Sequence, residues 1–181
     1  AQSAFGLVIT EIMYNPPGPS EDLEWIELYN EKAAPEDLSG YRFTKGIHYT
    51  FPTGWREDGR PLAALGPGEF LVLASNAQAF EEKYGFPPFG EFEGHLGNGG
   101  DLIVLENDAG DPHVYVPKEE RTEPEIRREG ARIISFSYDD RGKWPVAADG
   151  TGHSLMLVDV FGPQGDPDNW RASPTMWGNP G

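Results

Sequence analysis

The sequence predicts an all-β domain made of many short strands. The chain of 181 residues contains 23 glycines and 17 prolines spread along its whole length, and such frequent chain reversals favour short strands over helices. Hydrophobic residues make up 38% and aromatic residues 12% of the chain, which is enough for a folded core. Nine segments show the alternation or apolar run of a strand: residues 7–13, 24–30, 41–43, 47–51, 69–75, 101–106, 113–116, 133–138 and 153–159.

One helix is predicted at residues 78–84. Asn76 is a suitable N-cap, Phe80 and Tyr84 are i, i+4 neighbours, and Gly85 stands where a glycine often ends a helix. The signal covers fewer than two turns, so this helix is predicted to be a short connector between strands.

The length predicts one domain, which we place at residues 5–175. A charged insertion at residues 117–132 has almost no apolar side chain except Ile126, and it is predicted to project from the domain as a partly helical excursion. Residues 176–181 are predicted to be a tail or a linker to a following segment. No apolar run approaches the length of a membrane span, and the sequence contains no signal peptide.

Residues 144–173 combine a predicted turn with a predicted strand. A turn at residues 148–152 contains two glycines, and it leads into a segment in which Leu155 and Leu157 alternate with residues of the opposite face. This pattern predicts a half-buried strand, which we interpret as the last strand of a sandwich.

Trp170 is predicted to anchor the chain once this strand ends, and Trp144 is predicted to be a second aromatic anchor. Arg171 is predicted to pair with a carboxylate, with Glu27 or Glu11 as its partner. Both acids lie inside predicted strands, where a buried carboxylate must be paired or hydrogen-bonded.

The chain is strongly acidic, with 14 basic and 30 acidic residues and a formal net charge of -16. Such a surface repels phosphate backbones, which argues against nucleic acid as a partner. The absence of cysteine excludes disulfides, cysteine-ligated zinc and thiol catalysis. An acidic, cysteine-free surface fits a soluble protein outside the cell.

At most weak calcium binding is predicted, at the loop aspartates Asp159, Asp166 and Asp168. Their loops do not match the twelve-residue calcium loop, and any affinity should lie in the extracellular range of roughly 0.1–1 mM. The favoured interpretation is that these are solvated turn aspartates. The four histidines lie at least 18 residues apart, so they show no local metal-ligand spacing. No other cofactor is predicted.

Seven segments together resemble the lamin tail domain family in its bacterial form. They occur in the family's order, at residues 8–17, 24–30, 37–40, 96–102, 138–140, 144–152 and 169–173. The resemblance implies an immunoglobulin-like β-sandwich of about nine strands with one or two short connector helices. The sequence departs from the family at the charged insertion, where a short hairpin is common.

The resemblance implies a non-catalytic protein-interaction or structural accessory module of a larger secreted or cell-surface bacterial protein. Its partners would be another protein or flanking domains of the same polypeptide. The alternative is a carbohydrate-binding or adhesion module, because exposed tryptophans can stack on sugars. Calcium bound at the acidic loops would stabilise such a module. Trp55 and Trp177 are the two tryptophans predicted to be exposed. Ser154 follows His153 without a nucleophile elbow or an orienting acid, so no enzymatic activity is predicted.

Overall fold

In the part of the chain that the structure describes, two β-sheets pack together and a single α-helix lies outside them, which confirms the predicted all-β class. The computed structural model describes residues 6–18, 21–107 and 132–181. Its one α-helix is α1 (Ala77–Tyr84). The strands that it describes are β1 (Leu7–Met13), β2 (Trp25–Asn30), β3 (Glu36–Asp37), β4 (Arg42–Lys45), β5 (Ile47–Thr50), β6 (Ala64–Leu65), β7 (Phe70–Ala74), β8 (Gly90–Glu91), β9 (Glu93–Gly94), β10 (Gly100–Glu106), β11 (Arg132–Asp139), β12 (Leu155–Leu157) and β13 (Trp170–Ala172).

The larger sheet has six strands in the order β13-β12-β1-β2-β7-β8, and the second sheet has five in the order β11-β10-β4-β5-β9. The strands β3 and β6 form a separate antiparallel pair. The main core lies between the two large sheets. Ile9 and Leu28 come from the larger sheet and Ile103 and Leu105 from the smaller one, and all four are fully buried in one cluster.

The central strands β1 and β2 are buried on both faces. Every residue of β1 is buried, and so is every residue of β2 except Tyr29. The outer face of the larger sheet is covered at one end by α1, whose Phe80 packs edge-on against Trp25 in a second cluster with Met13. Because α1 covers only part of this face, the next residues along β1 and β2 require a different cover.

The eight strands predicted within the described residues all occur, and the predicted helix is confirmed with a start at Ala77. Its cap is also as predicted: Ala79 N donates to Asn76 Oδ1 at 3.0 Å, and Gly85 adopts a φ of 83°. The strands that were not predicted have only two or three residues, too few for alternation to be visible. The strand predicted at 113–116 and the insertion predicted at 117–132 lie outside the described residues, except Arg132, which begins β11.

The strand predicted at residues 153–159 is shorter than expected, and it is not the last. It is reduced to β12, and β13 follows and pairs with it, with Leu157 opposite Trp170. The chain returns through a 3-10 helix at Pro167–Asn169, which Asp166 caps by accepting from Asp168 N. No helix among the described residues is long and apolar enough to cross a membrane.

Candidate functional site

Two buried carboxylates lie side by side on the outer face of the larger sheet, beyond the part that α1 covers. Glu11 in β1 and Glu27 in β2 are cross-strand partners, and they are 1% and 3% exposed. The register shifts between Ile9 and Glu11, so Thr10 is an extra residue at this point. Thr10 Oγ1 donates to Glu27 Oε1 at 2.6 Å, which places a hydroxyl on the carboxylate pair.

Each of the two carboxylates accepts one bond from a hydroxyl and one from a backbone amide. Glu11 Oε1 accepts from Ser154 Oγ and from Asn179 N, the latter at 3.1 Å. Glu27 Oε2 accepts from Gly181 N at 2.7 Å. Both backbone donors belong to residues 177–181, which we call the strap. The strap therefore covers the carboxylates and supplies the donors that their burial requires.

The strap is also fixed at its first residue. Tyr84 of α1 donates from its hydroxyl to Trp177 O at 2.9 Å and accepts from Trp25 Nε1 at 2.8 Å. Lys83 Nζ lies 3.6 Å from the centre of the Trp177 ring, within cation–π distance. Trp177 N donates to Gly152 O. Residues predicted to be a tail or linker are thus bound to α1, to the loop before β12 and to the sheet.

Burial raises the pKa of Glu11 to about 7, and the nearby charge of Glu27 adds to the rise, while hydrogen bonds from Ser154 and Asn179 oppose it. Burial also raises the pKa of Glu27. A carboxyl with a pKa near 7 suits a general acid. Here, however, one oxygen of each carboxylate accepts from the strap, Glu11 Oε1 from Asn179 N and Glu27 Oε2 from Gly181 N, and both side chains are almost fully buried. This arrangement favours a structural role for both carboxylates.

Trp170 lies where the edges of the two large sheets meet. Its ring stacks on Phe136 of β11, with the centroids 5.6 Å apart and the planes 21° apart, and it lies 6.2 Å from the ring of Trp144. Trp170 Nε1 donates to Gln164 O at 2.7 Å. The side chain is 4% exposed, so its indole is both packed and hydrogen-bonded.

The predicted ion pair between Arg171 and Glu27 or Glu11 is not formed. Arg171 is exposed, and its guanidinium contacts Met156 Sδ at 3.5 Å. Met156 pairs with Arg171 on one side and with Glu11 on the other, so β12 separates Arg171 from the carboxylates. The amides of the strap take the place that the prediction gave to Arg171.

The three aspartates predicted as weak calcium ligands do not come together. Asp159 Oδ1 accepts from Phe161 N and Asp166 Oδ1 accepts from Asp168 N, both at 3.0 Å. Asp168 pairs with Lys143 at 2.7 Å. Each carboxylate therefore stabilises its own turn or pairs with a lysine.

A different group of candidate metal ligands forms among the described residues, and no local spacing indicated it. Glu21, Glu24 and His95 each offer one ligand atom, and these atoms lie within 4.8 Å of one another. Glu21 lies in a 3-10 turn just before β2 and His95 lies between β9 and β10, so only the fold brings them together. Burial raises the pKa of Glu24 to about 7, and the charge of Glu21 adds to this rise.

Comparison with known proteins identifies the family. A family model described as Lamin Tail Domain matches residues 1–119, which is more than half of the 181-residue chain. Neither the curated proteins nor the solved structures give a match. The family's fold is immunoglobulin-like, in agreement with the two packed sheets, and its domains are non-catalytic. The chain therefore belongs to the lamin tail domain family.

Proposed function

We propose that this domain is a non-catalytic interaction module that binds an extended segment of a protein partner along β11. Membership of the family makes the chain an immunoglobulin-like interaction or structural module. β11 is the edge strand of the five-stranded sheet and, with eight residues, the longest strand that the structure describes. An edge strand presents a row of backbone donors and acceptors that another chain can pair with.

One side of β11 is already paired, since it runs antiparallel to β10 over its whole length. No strand among the described residues pairs with the other side. Ile134, Phe136 and Tyr138 point into the core and are buried, whereas Ser135 and Ser137 are exposed. The core residues hold the strand in place, and the backbone of its outer side is available to a partner strand.

The composition of β11 also favours pairing. Natural edge strands are commonly protected by lysine, proline or a bulge. Residues 133–138 contain neither a charged residue nor a proline, and the irregularity in the pairing of β11 with β10 is confined to Ile133 at its start. The other edges are much shorter, because β13 has three residues and β8 and β9 have two each. A long edge strand that is uncharged between Arg132 and Asp139, beside three short edges, is the single observation that supports this proposal.

Peptides in which alternate backbone amides are methylated test the proposal. Extended peptides are selected from a displayed library against the purified chain, and the best binder is remade in two forms, N-methylated at odd or at even positions. Antiparallel pairing uses every second amide of the peptide. The form that is methylated only at the unused amides should therefore bind as tightly as the unmethylated peptide. The other should lose about tenfold or more, since several hydrogen bonds of about 1 kcal/mol each are removed. Equal affinity of the two forms would contradict strand pairing.

The same proposal makes this chain an accessory module of a larger secreted or cell-surface bacterial protein. The net charge of -16 supports solubility outside the cell. The domain composition of the full-length gene product, together with its fractionation in the producing cell, tests this context. A cytoplasmic full-length protein would contradict it.

One observation favours the alternative function of a carbohydrate-binding or adhesion module. Trp55 is 68% exposed, and an exposed indole can stack on a sugar ring. A glycan array probed with the parent chain and with Trp55→Ala tests this alternative. Glycan binding that Trp55→Ala abolishes would favour the carbohydrate-binding function over the peptide-binding one.

A further inference from the structure

We propose that Glu21, Glu24 and His95 form a binding site for a divalent transition-metal ion of the zinc class. The three ligand atoms lie within 4.8 Å of one another. Two carboxylates and one imidazole would supply three protein ligands, which leaves at least one coordination position for water or for a group from a partner. The site lies just before β2, and none of its three ligands belongs to the strap or to β11.

The environment of Glu24 is the evidence that a cation binds here. Its side chain is fully buried, with 0% exposure. Its Oε2 accepts from Leu96 N at 2.9 Å, whereas its Oε1 has no hydrogen-bond partner among the described residues. Leaving a buried carboxylate oxygen unpaired is costly, and such groups in native proteins call for an explanation. A bound cation would satisfy this oxygen.

The other two ligands are free to complete the site. Glu21 and His95 are both exposed, and His95 Nδ1 lies 2.8 Å from Glu21 Oε2. Because both side chains are exposed, they can rotate toward the distances of about 2.0–2.2 Å at which zinc binds its ligands. The bond from Leu96 N to Glu24 fixes the residue next to His95, so the positions of Glu24 and His95 are coupled through the backbone.

The donor set selects the kind of ion. An imidazole nitrogen suits zinc and its neighbours in the first transition row, whereas magnesium and calcium prefer oxygen ligands. Calcium also takes six to eight oxygens, and the group has only two carboxylates. The net charge of -16 attracts cations in general, so the histidine is the feature that makes the site selective.

Calorimetric titration of the chelator-treated full chain with ZnCl₂ tests the proposal. We expect one zinc ion per chain, and we expect His95→Ala and Glu24→Gln each to weaken binding by about tenfold or more, since even residues that only support metal ligands contribute 10–100-fold. His48→Ala is the matched control, because His48 is an exposed histidine outside the group, and it should keep the parent's affinity.

Glu24 is buried, so Glu24→Gln can fail to fold. His95→Ala keeps the test decisive because His95 is exposed and its substitution should leave the fold intact. A second readout is the visible absorption of bound Co²⁺, which should change in His95→Ala and not in His48→Ala. Absence of zinc binding by the parent, zinc affinity that His95→Ala leaves unchanged, or displacement of zinc by an equal concentration of calcium would each overturn the proposal.

Discussion

Gly178 of the strap passes Glu11 of β1 so closely that a methyl group on Gly178 would overlap the Glu11 carboxylate. The same methyl group would lie 2.8 Å from the ring of Trp25 and 2.9 Å from Ser154 Oγ. Gly178 also has a φ of 71°, in the left-handed region that favours glycine. The strap can therefore reach Glu11 and Glu27 only with glycine at this position.

Gly178→Ala should lower the free energy of unfolding by about 2–4 kcal/mol, because it combines an unfavourable φ with overpacking. Gly142→Ala is the matched control: Gly142 has a φ of 69°, but an added Cβ there meets nothing within 4 Å. The control should lose only the backbone contribution of about 1 kcal/mol. Urea denaturation measures both, and equal losses would mean that the strap does not pack on Glu11.

The domain should become less stable as the pH rises from 5 to 8. The pKa of Glu11 is about 7 in the folded chain against an ordinary value of 4.5. The folded state therefore holds a proton that the unfolded state releases between these values. This stabilisation is complete below about pH 4.5 and is lost as the pH rises through about 7. The corresponding change in the free energy of unfolding is on the order of 1–3 kcal/mol.

Glu11→Gln isolates this effect. The groups that face Glu11 are Glu27, the hydroxyls of Ser154 and Tyr84 and the amide of Asn179. Glu27, whose pKa is raised in the same direction, keeps part of the pH dependence in the variant. Denaturant melts at pH 5 and pH 8 should show a smaller difference for Glu11→Gln than for the parent. An unchanged difference would mean that Glu11 is ionised in the folded state.

Trp170→Ala and Arg171→Ala should differ sharply although the residues are neighbours. Trp170 is buried between Phe136 and Trp144, and truncating such a side chain costs about 3–5 kcal/mol. Arg171 is exposed and makes no ion pair among the described residues, so its loss should cost at most about 1 kcal/mol. Chemical denaturation checks both values. An Arg171→Ala loss that approaches that of Trp170→Ala would show that Arg171 reaches a carboxylate after all.

The features predicted best from the sequence are those that depend on residues close together in the chain. The bounds of β1 are those predicted, because a run of β-branched residues ends at a turn. The helix α1 is set by Asn76 and Gly85, since a cap acts within one turn of the residue that makes it. The buried face of β12 follows from the alternation of Leu155 and Leu157.

The missed features join residues that are far apart in the chain. The strap is rich in glycine, proline and asparagine, a composition typical of linkers, yet its amides donate to two buried carboxylates of the sheet. The ion pair predicted for Arg171 is wrong because β12 lies between Arg171 and Glu11, and this strand order depends on the fold. His95 has no metal-ligand pattern around it, because its partners lie at the start of β2.

Hydrogen–deuterium exchange at β11, followed by NMR, tests most directly whether this edge receives a partner strand. In the free chain, we predict that alternate amides of residues 133–138, those facing away from β10, exchange rapidly, while the others are protected. A selected peptide should then protect the rapidly exchanging set. If that set is already protected in the free chain, or if the peptide protects the strap and leaves β11 unchanged, β11 is not the binding edge.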